Sequence, residues 1–439
     1  MSDGALRDRH PEQGVQAEVG HIAPIEGLRG VAVLGVIAFH YWVLRNGFDD
    51  PWIAFVNAWQ PLKVVVAHGS LGVDLFFLVT GFLLTLPWLR HALEGRPAPS
   101  TRDFYVRRVR RIVPAYYVQL AVLFGVFVPV ILGTDFWMRN LGFLAYNIPA
   151  HLTFMHYTTP ISSASLTLNG ALWTLALEFQ YYLLLPLFAP AFVRAPWRTA
   201  LFFVALAIAW RWLCAHDLRW LVDFEMRLGA PWKLDEPTIR HLLATQLPGY
   251  LAHFAIGIVV GRAWLLGRAP RGRMASVCSL AIAAAALYVV YAVHTSMQNL
   301  LGEFTWLVVP AGFGVAMFTL LAGAPGAGRV LLANKTLLFF GRLSYSAYLY
   351  HLPLLLAWNL HAPRDLGWAG FPAWLALVTV VAWLSFRFVE LPFMRSQSPR
   401  KETWPTNAAP GASEAPSTSP TTTASGGAPS TTTASSSNS

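Results

Sequence analysis

Long apolar runs, separated by short basic or polar stretches, make up most of this chain. Ten runs approach the ~20 residues a helix needs to cross a bilayer. They lie at about 27–45, 70–89, 112–132, 171–192, 199–213, 245–266, 276–294, 304–322, 337–357 and 371–391. Backbone polar groups in lipid must be satisfied within the segment itself, which a helix does. The pattern therefore predicts an all-α integral membrane protein with about ten transmembrane helices. One stretch does not fit. Residues 141–157, LGFLAYNIPAHLTFMHY, are apolar but short, and Pro149 interrupts them. An eleventh span here would invert every later loop and put the basic ones outside. The segment is therefore predicted to be re-entrant or to lie on the outer surface, followed by an outer loop at 158–170.

Charge adds an orientation. Loop 90–111 carries Arg90, Arg96, Arg102, Arg107, Arg108, Arg110 and Arg111, and loop 267–275 carries Arg268, Arg271 and Arg273. Connectors 46–69, 295–303 and 358–370 are poor in Arg and Lys, and the cations of 214–244 are balanced by acids. Basic loops stay in the cytoplasm, so both termini are expected there, with the protein in the inner or plasma membrane. The net charge of +10 follows from this loop asymmetry. A nucleic-acid binder would gather its cations on one soluble face, so nucleic acid is not an expected partner; membrane lipid is. Charged residues are only 12% of the chain and hydrophobic ones 55%. Two cysteines, Cys214 and Cys278, are too few for a disulfide framework or a Cys-based zinc site, and no metal is expected. Segment 1–21 is polar and lacks the apolar core of a signal peptide, so it reads as a cytoplasmic N-terminal segment. Residues 397–439 are rich in Ser, Thr, Pro, Ala and Gly, cannot bury enough surface to order themselves, and are expected to be disordered.

Within the apolar runs, ionisable groups are costly and mark candidate chemistry. Arg29 and His40 lie eleven residues apart on the first run, IEGLRGVAVLGVIAFHYWVL. Eleven residues are almost three helical turns, roughly 16 Å, so both side chains share one face. An imidazole with an ordinary value near 6.5 is mostly neutral at neutral pH and can accept a proton. His40 is either a general base or a packing histidine. Arg29 can hold a phosphate, a carbonyl or a carboxylate, or simply mark the helix end. Asp74, in GVDLFFLVTGFLL, is placed to orient the His40 imidazole, as a carboxylate does in a His–Asp dyad, or else to tie helices together. Gly81 admits close approach of a backbone or a chain-like ligand.

Further along, FYVRRVRRIVPAYY puts Arg107, Arg108, Arg110 and Arg111 before a span, either as headgroup contacts or as a site for a cytoplasmic polyanion such as coenzyme A. In LWTLALEFQYYLLLP, Trp173, Glu178 and Tyr182 are candidate substrate contacts, with Glu178 pairing Arg342 or Arg387 or binding polar substrate. In GRLSYSAYLYHLPLLL, Ser344, Tyr345, Tyr348 and His351 share one face, which must look into the bundle or a wet cavity. His351 is the other deep histidine that competes with His40 as base.

These motifs, closed by FRFVELPFMR, occur in order over about residues 22–396. Together they resemble the membrane-bound acyltransferase family 3, which includes O-antigen and peptidoglycan O-acetylases and macrolide acyltransferases. The resemblance implies a ten-helix core at 22–396. It implies transfer of an acyl group, commonly acetyl from cytoplasmic acetyl-CoA or another acyl-CoA, to a hydroxyl of a carbohydrate or macrolide-like acceptor. No permanently bound cofactor is implied. The family's Arg-x10-His motif falls on Arg29 and His40, with the histidine catalytic. Its arginine-pair motif falls among Arg107, Arg108, Arg110 and Arg111, and its Trp-Ser-Leu…Glu motif on Trp173, Leu175 and Glu178, with Thr174 in place of Ser. Thr80 and Glu26 replace a common Ser and Asp, and Phe179 stands where a second acid is common. Many relatives carry a C-terminal hydrolase-like domain, whereas here only the low-complexity tail follows, so the core or a partner is expected to handle the acceptor. A proton-coupled transporter or flippase using His40, Asp74 and Glu178 as a relay is the competing expectation. Sequence leaves oligomeric state open.

Overall fold

The computed structural model describes residues 22–158, 168–227, 235–267, 273–296, 305–323, 331–363 and 366–395. The predicted N-terminal segment 1–21 and tail 397–439, most of loop 158–170 and the centre of loop 267–275 lie outside the described residues. The described residues form helices, with no β-strand among them.

Each of the ten predicted spans coincides with a helix: α1 Ala23–Arg45, α2 Gly72–Glu94, α3 Thr101–Val122, α4 Trp173–Arg194, α5 Pro196–His216, α6 Leu247–Leu265, α7 Arg273–Ser296, α8 Thr305–Phe318, α9 Lys335–His361 and α10 Gly370–Ser385. Among the described residues, seven helical stretches are long and apolar enough to cross a membrane by length and composition, containing α1 to α6 and α10. Shorter apolar stretches occupy α7 (Leu280–Ala292) and α8 (Trp306–Leu321). α9 has 27 residues but is more polar, because it buries Ser344, Ser346, His351 and three tyrosines inside the bundle.

Boundaries moved where capping outweighed hydropathy. The third span was expected from residue 112, but α3 starts at Thr101, so Arg107 to Arg111 ride on its first turns instead of preceding it. Ser100 caps this end by accepting the Asp103 amide at 3.2 Å, and Asp103 sits in the positive first turn. α3 then passes through a π-turn, Leu123–Phe127, to Val128–Leu132, and α10 passes through another, Phe386–Glu390, to Leu391–Arg395. The connector before α2 holds two short helices, Pro51–Ala58 and Gln60–Ala67.

Glycines set the two closest helix pairs. α1 packs most extensively on α9, and α2 on α6. A methyl group at Gly27 or Gly30 would collide with the carbonyls of Leu332 or Leu337, and one at Gly341 with that of Glu26. Gly81 and Gly257 likewise bring α2 and α6 together, so Gly81 admits the α6 backbone at Phe254. Segment 141–157 folds as a helix, Leu141–Leu152, and turns back at Phe154, a buried residue at φ 58°. Tyr116 and Tyr117 of α3 donate to the carbonyls of His151 and Leu152 at 3.1 and 2.6 Å. Gln180 of α4 donates to the Phe154 carbonyl at 3.3 Å. The segment thus doubles back, and its carbonyls accept from two long helices.

Candidate active site

α1, α2, α3, α4, α9 and the end of α10 enclose a cavity of about 920 Å³. Eight arginines line it: Arg29, Arg90, Arg96, Arg107, Arg108, Arg111, Arg342 and Arg387. Two carboxylates, Glu26 and Glu178, accompany them. The α3 register explains the choice. Phe104, Arg107, Arg108 and Arg111 fall on one helical face, whereas Arg110 does not line the cavity. Arg108 lies over the rings of Phe104 and Tyr182, at 5.8 and 6.0 Å. Such a concentration of guanidinium groups suits phosphate or carboxylate ligands.

Deeper in, the charged groups pair with one another or with hydroxyls. Arg29 donates to Ser344 Oγ at 2.8 Å and lies 3.8 Å from Glu26. Glu178 accepts from Tyr182 through a short hydrogen bond, and from Thr80 at 3.3 Å. The expected partners of Glu178, Arg342 and Arg387, are thus replaced by two hydroxyls, because α2 brings Thr80 against α4. Tyr345 donates to the Ile112 carbonyl at 2.8 Å and Thr174 to Tyr348 Oη at 3.1 Å, each joining α9 to a neighbour. Val73, Phe76, Thr174 and Tyr348 line the cavity towards the far ends of α1 and α9, with the Phe76 and Tyr348 rings 6.1 Å apart.

His40 stands beyond that point and is not a lining residue. Its Nδ1 is 2.9 Å from the Val36 carbonyl and 3.2 Å from His351 Nε2. His351 is fully buried, its Nδ1 lies 2.7 Å from the Tyr348 carbonyl, and its ring is 5.4 Å from the Tyr348 ring. The face Ser344, Tyr348, His351 therefore runs from Arg29 to His40.

The structure decides the Asp74 alternatives and corrects the expectation for Trp173. Asp74 does not orient His40. Its Oδ1 lies 2.8 Å from Nε2 of His253, a fully buried residue of α6. Parallel packing of α2 on α6 fixes this pair, so Asp74 ties helices. Among the described residues, no direct hydrogen bond joins Asp74, Glu178 and His40: Asp74 meets His253, and Glu178 meets Tyr182 and Thr80. Trp173 does not line the cavity. It packs among Phe77, Tyr157 and Tyr250, because the first turn of α4 points it towards α2 and α6 while Thr174 and Leu175 face the cavity. Sequence reasoning passed over His253, although a histidine in the apolar run LAHFAIG gives the same signal as His40. It also passed over Glu390, which is fully buried and takes a short hydrogen bond from Ser346. Among the described residues no cluster of His, Cys, Asp and Glu is arranged to hold a metal ion.

The chain matches the family described as an acyltransferase domain over residues 22–387. It belongs to this acyltransferase family. Peptidoglycan O-acetyltransferase OatA of Listeria monocytogenes is 25% identical, over 86% of this chain and 56% of its own length. O-acetyltransferase OatA of Staphylococcus aureus is 22% identical, over 85% and 57%. Acyltransferase MdmB of Streptomyces mycarofaciens is 26% identical, over 91% of this chain and 98% of its own length. The chain thus spans a little over half of the two OatA proteins and nearly all of MdmB. No solved structure matches it.

Proposed function

We propose that this acyltransferase moves a short acyl group, acetyl in the simplest case, from an acyl-CoA to a hydroxyl of a carbohydrate-like acceptor. The observation that carries the reading is the eight-arginine cavity, whose inner end at Tyr348 adjoins the His40–His351 pair. In this reading the arginine-rich end is cytoplasmic, in the plasma membrane, with both termini on that side. The phosphates of CoA dock on Arg107, Arg108 and Arg111. Arg29 orients the pantetheine end, and the thioester reaches His40 as the Phe76 and Tyr348 rings part. His40 Nε2 takes the acceptor hydroxyl proton as the oxygen attacks the thioester carbonyl. The carbon–sulfur bond breaks, and the CoA thiolate leaves with the proton returned from the imidazolium. A two-step route through an acyl-imidazole uses the same nitrogen. The peptidoglycan and macrolide named for the relatives are the acceptor classes to try first.

The test is purified protein in proteoliposomes, supplied with acetyl-CoA and, in turn, muropeptide and macrolide acceptors. Acceptor-dependent CoA release is expected, and its loss in a His40→Ala variant of unchanged melting temperature. Wild-type transfer by that variant would refute the base assignment, and acceptor flux without CoA release would establish a transporter.

A further inference from the structure

The His40–His351 contact fixes which protons each ring carries. The Nδ1 of each imidazole faces a backbone carbonyl, Val36 for His40 at 2.9 Å and Tyr348 for His351 at 2.7 Å. Carbonyl oxygens only accept, so each Nδ1 carries the hydrogen of its neutral ring. That leaves His351 Nε2 as a bare lone pair, 3.2 Å from His40 Nδ1. The His40 N–H is therefore shared between the Val36 carbonyl and the His351 lone pair. His40 Nε2 is left unprotonated, with no protein hydrogen-bond partner among the described residues.

We infer that His351 is a positioning residue: its neutral imidazole does for His40 what a carboxylate does behind the histidine of a Ser-His-Asp triad. It holds the base in the Nδ1–H tautomer, so the free lone pair is the one offered to substrate. This rests on His40 being the base. When His40 takes a proton at Nε2, its Nδ1–H bond to His351 becomes charge-assisted and shortens. The acceptor behind the base then costs little while His40 is neutral and strengthens as charge develops.

The geometry also excludes His351 as the primary base. It is fully buried, and its only bare nitrogen is already engaged by His40. Asp74, the carboxylate of α2 nearest to His40 in sequence, is held by His253 instead. His351 occupies the position because it shares the α9 face with Ser344 and Tyr348, and α9 is the helix packed most extensively on α1.

The experiment compares His351→Leu, which removes the acceptor at similar bulk, with His351→Gln, whose amide oxygen reaches near the Nε2 position. Both are reconstituted beside wild type and His40→Ala. His351→Leu is expected to lower kcat about ten- to a hundredfold, the cost of one hydrogen bond to a charged group, with the KM values for donor and acceptor unchanged. His351→Gln is expected to recover most of that loss. In histidine-15N spectra of wild type, the signals absent from His40→Ala should report a protonated Nδ1 and a bare Nε2.

Wild-type kcat in His351→Leu would overturn the inference, as would equal impairment of both variants. A spectrum placing the His40 proton on Nε2 would overturn it even if both variants failed to fold. A fully active His40→Ala would instead refute the base itself, which separates the two failures.

Discussion

Gly81→Ala tests how the α2–α6 contact holds the Asp74–His253 pair. A Cβ on Gly81 would fall far inside van der Waals contact with the Phe254 carbonyl oxygen on α6, with the Phe254 Cα and carbonyl carbon close behind. These are backbone atoms of a packed helix, so no side-chain rotation relieves the clash. Reaching ordinary contact near 3.5 Å requires roughly 1 Å of helix separation. Asp74 lies two turns along α2, and its 2.8 Å bond to His253 does not survive a comparable shift. Overpacking costs about 1–3 kcal/mol. Leaving the buried His253 Nε2 without its partner adds about 1–3 kcal/mol. A destabilisation of roughly 4 kcal/mol is expected, read as a lower denaturation midpoint in detergent micelles. A cycle with Asp74→Ala sharpens the test. If the wedge already breaks the pair, the double variant falls short of the sum of the singles by about the value of the hydrogen bond. A Gly81→Ala protein as stable as wild type, or strict additivity in the cycle, would refute the reasoning.

Four further outcomes are expected. Replacing Arg107 and Arg108 together by Gln should raise the KM for acyl-CoA at least about tenfold, with the gap narrowing in high salt as screening weakens the wild-type contacts. Titration of donor at several salt concentrations checks it. Arg29→Lys keeps the charge but loses the fork that meets Ser344, and steady-state kinetics should show the donor KM raised several-fold, about 1 kcal/mol. Phe154→Ala should cost about 3–5 kcal/mol by removing a ring stacked on Tyr116 at 4.4 Å and Phe179 at 4.1 Å. Phe154→Gly should melt higher than Phe154→Ala by about 1 kcal/mol, because the backbone there is left-handed.

Much of the site was readable along single helices. The Arg29–His40 phase and the Ser344–Tyr348–His351 face follow from a period of 3.6 residues, and both hold in the structure. The α3 arginines were read as a cluster but placed in a loop, because hydropathy ignores a polar first turn that Ser100 caps. Contacts between helices were less legible. Asp74 was left between orienting His40 and tying helices, and packing decided for the second; Glu178, expected on an arginine or on polar substrate, meets two hydroxyls. Nothing in the local pattern of α2 says whether its outer end meets α1 or α6.

What the sequence determined by itself is where the long apolar helices lie, which segments are basic and the face each polar group occupies. These depend on composition and helical period, which are local. The tertiary structure alone decided which faces meet. Gly27, Gly30 and Gly341 let α1 and α9 approach closely enough for His40 to reach His351, and Gly81 and Gly257 draw α2 onto α6 and give Asp74 to His253. A polar group in an apolar bundle takes whichever partner packing brings within about 3 Å. That distance is set by backbone contacts between segments hundreds of residues apart, which no single helix encodes.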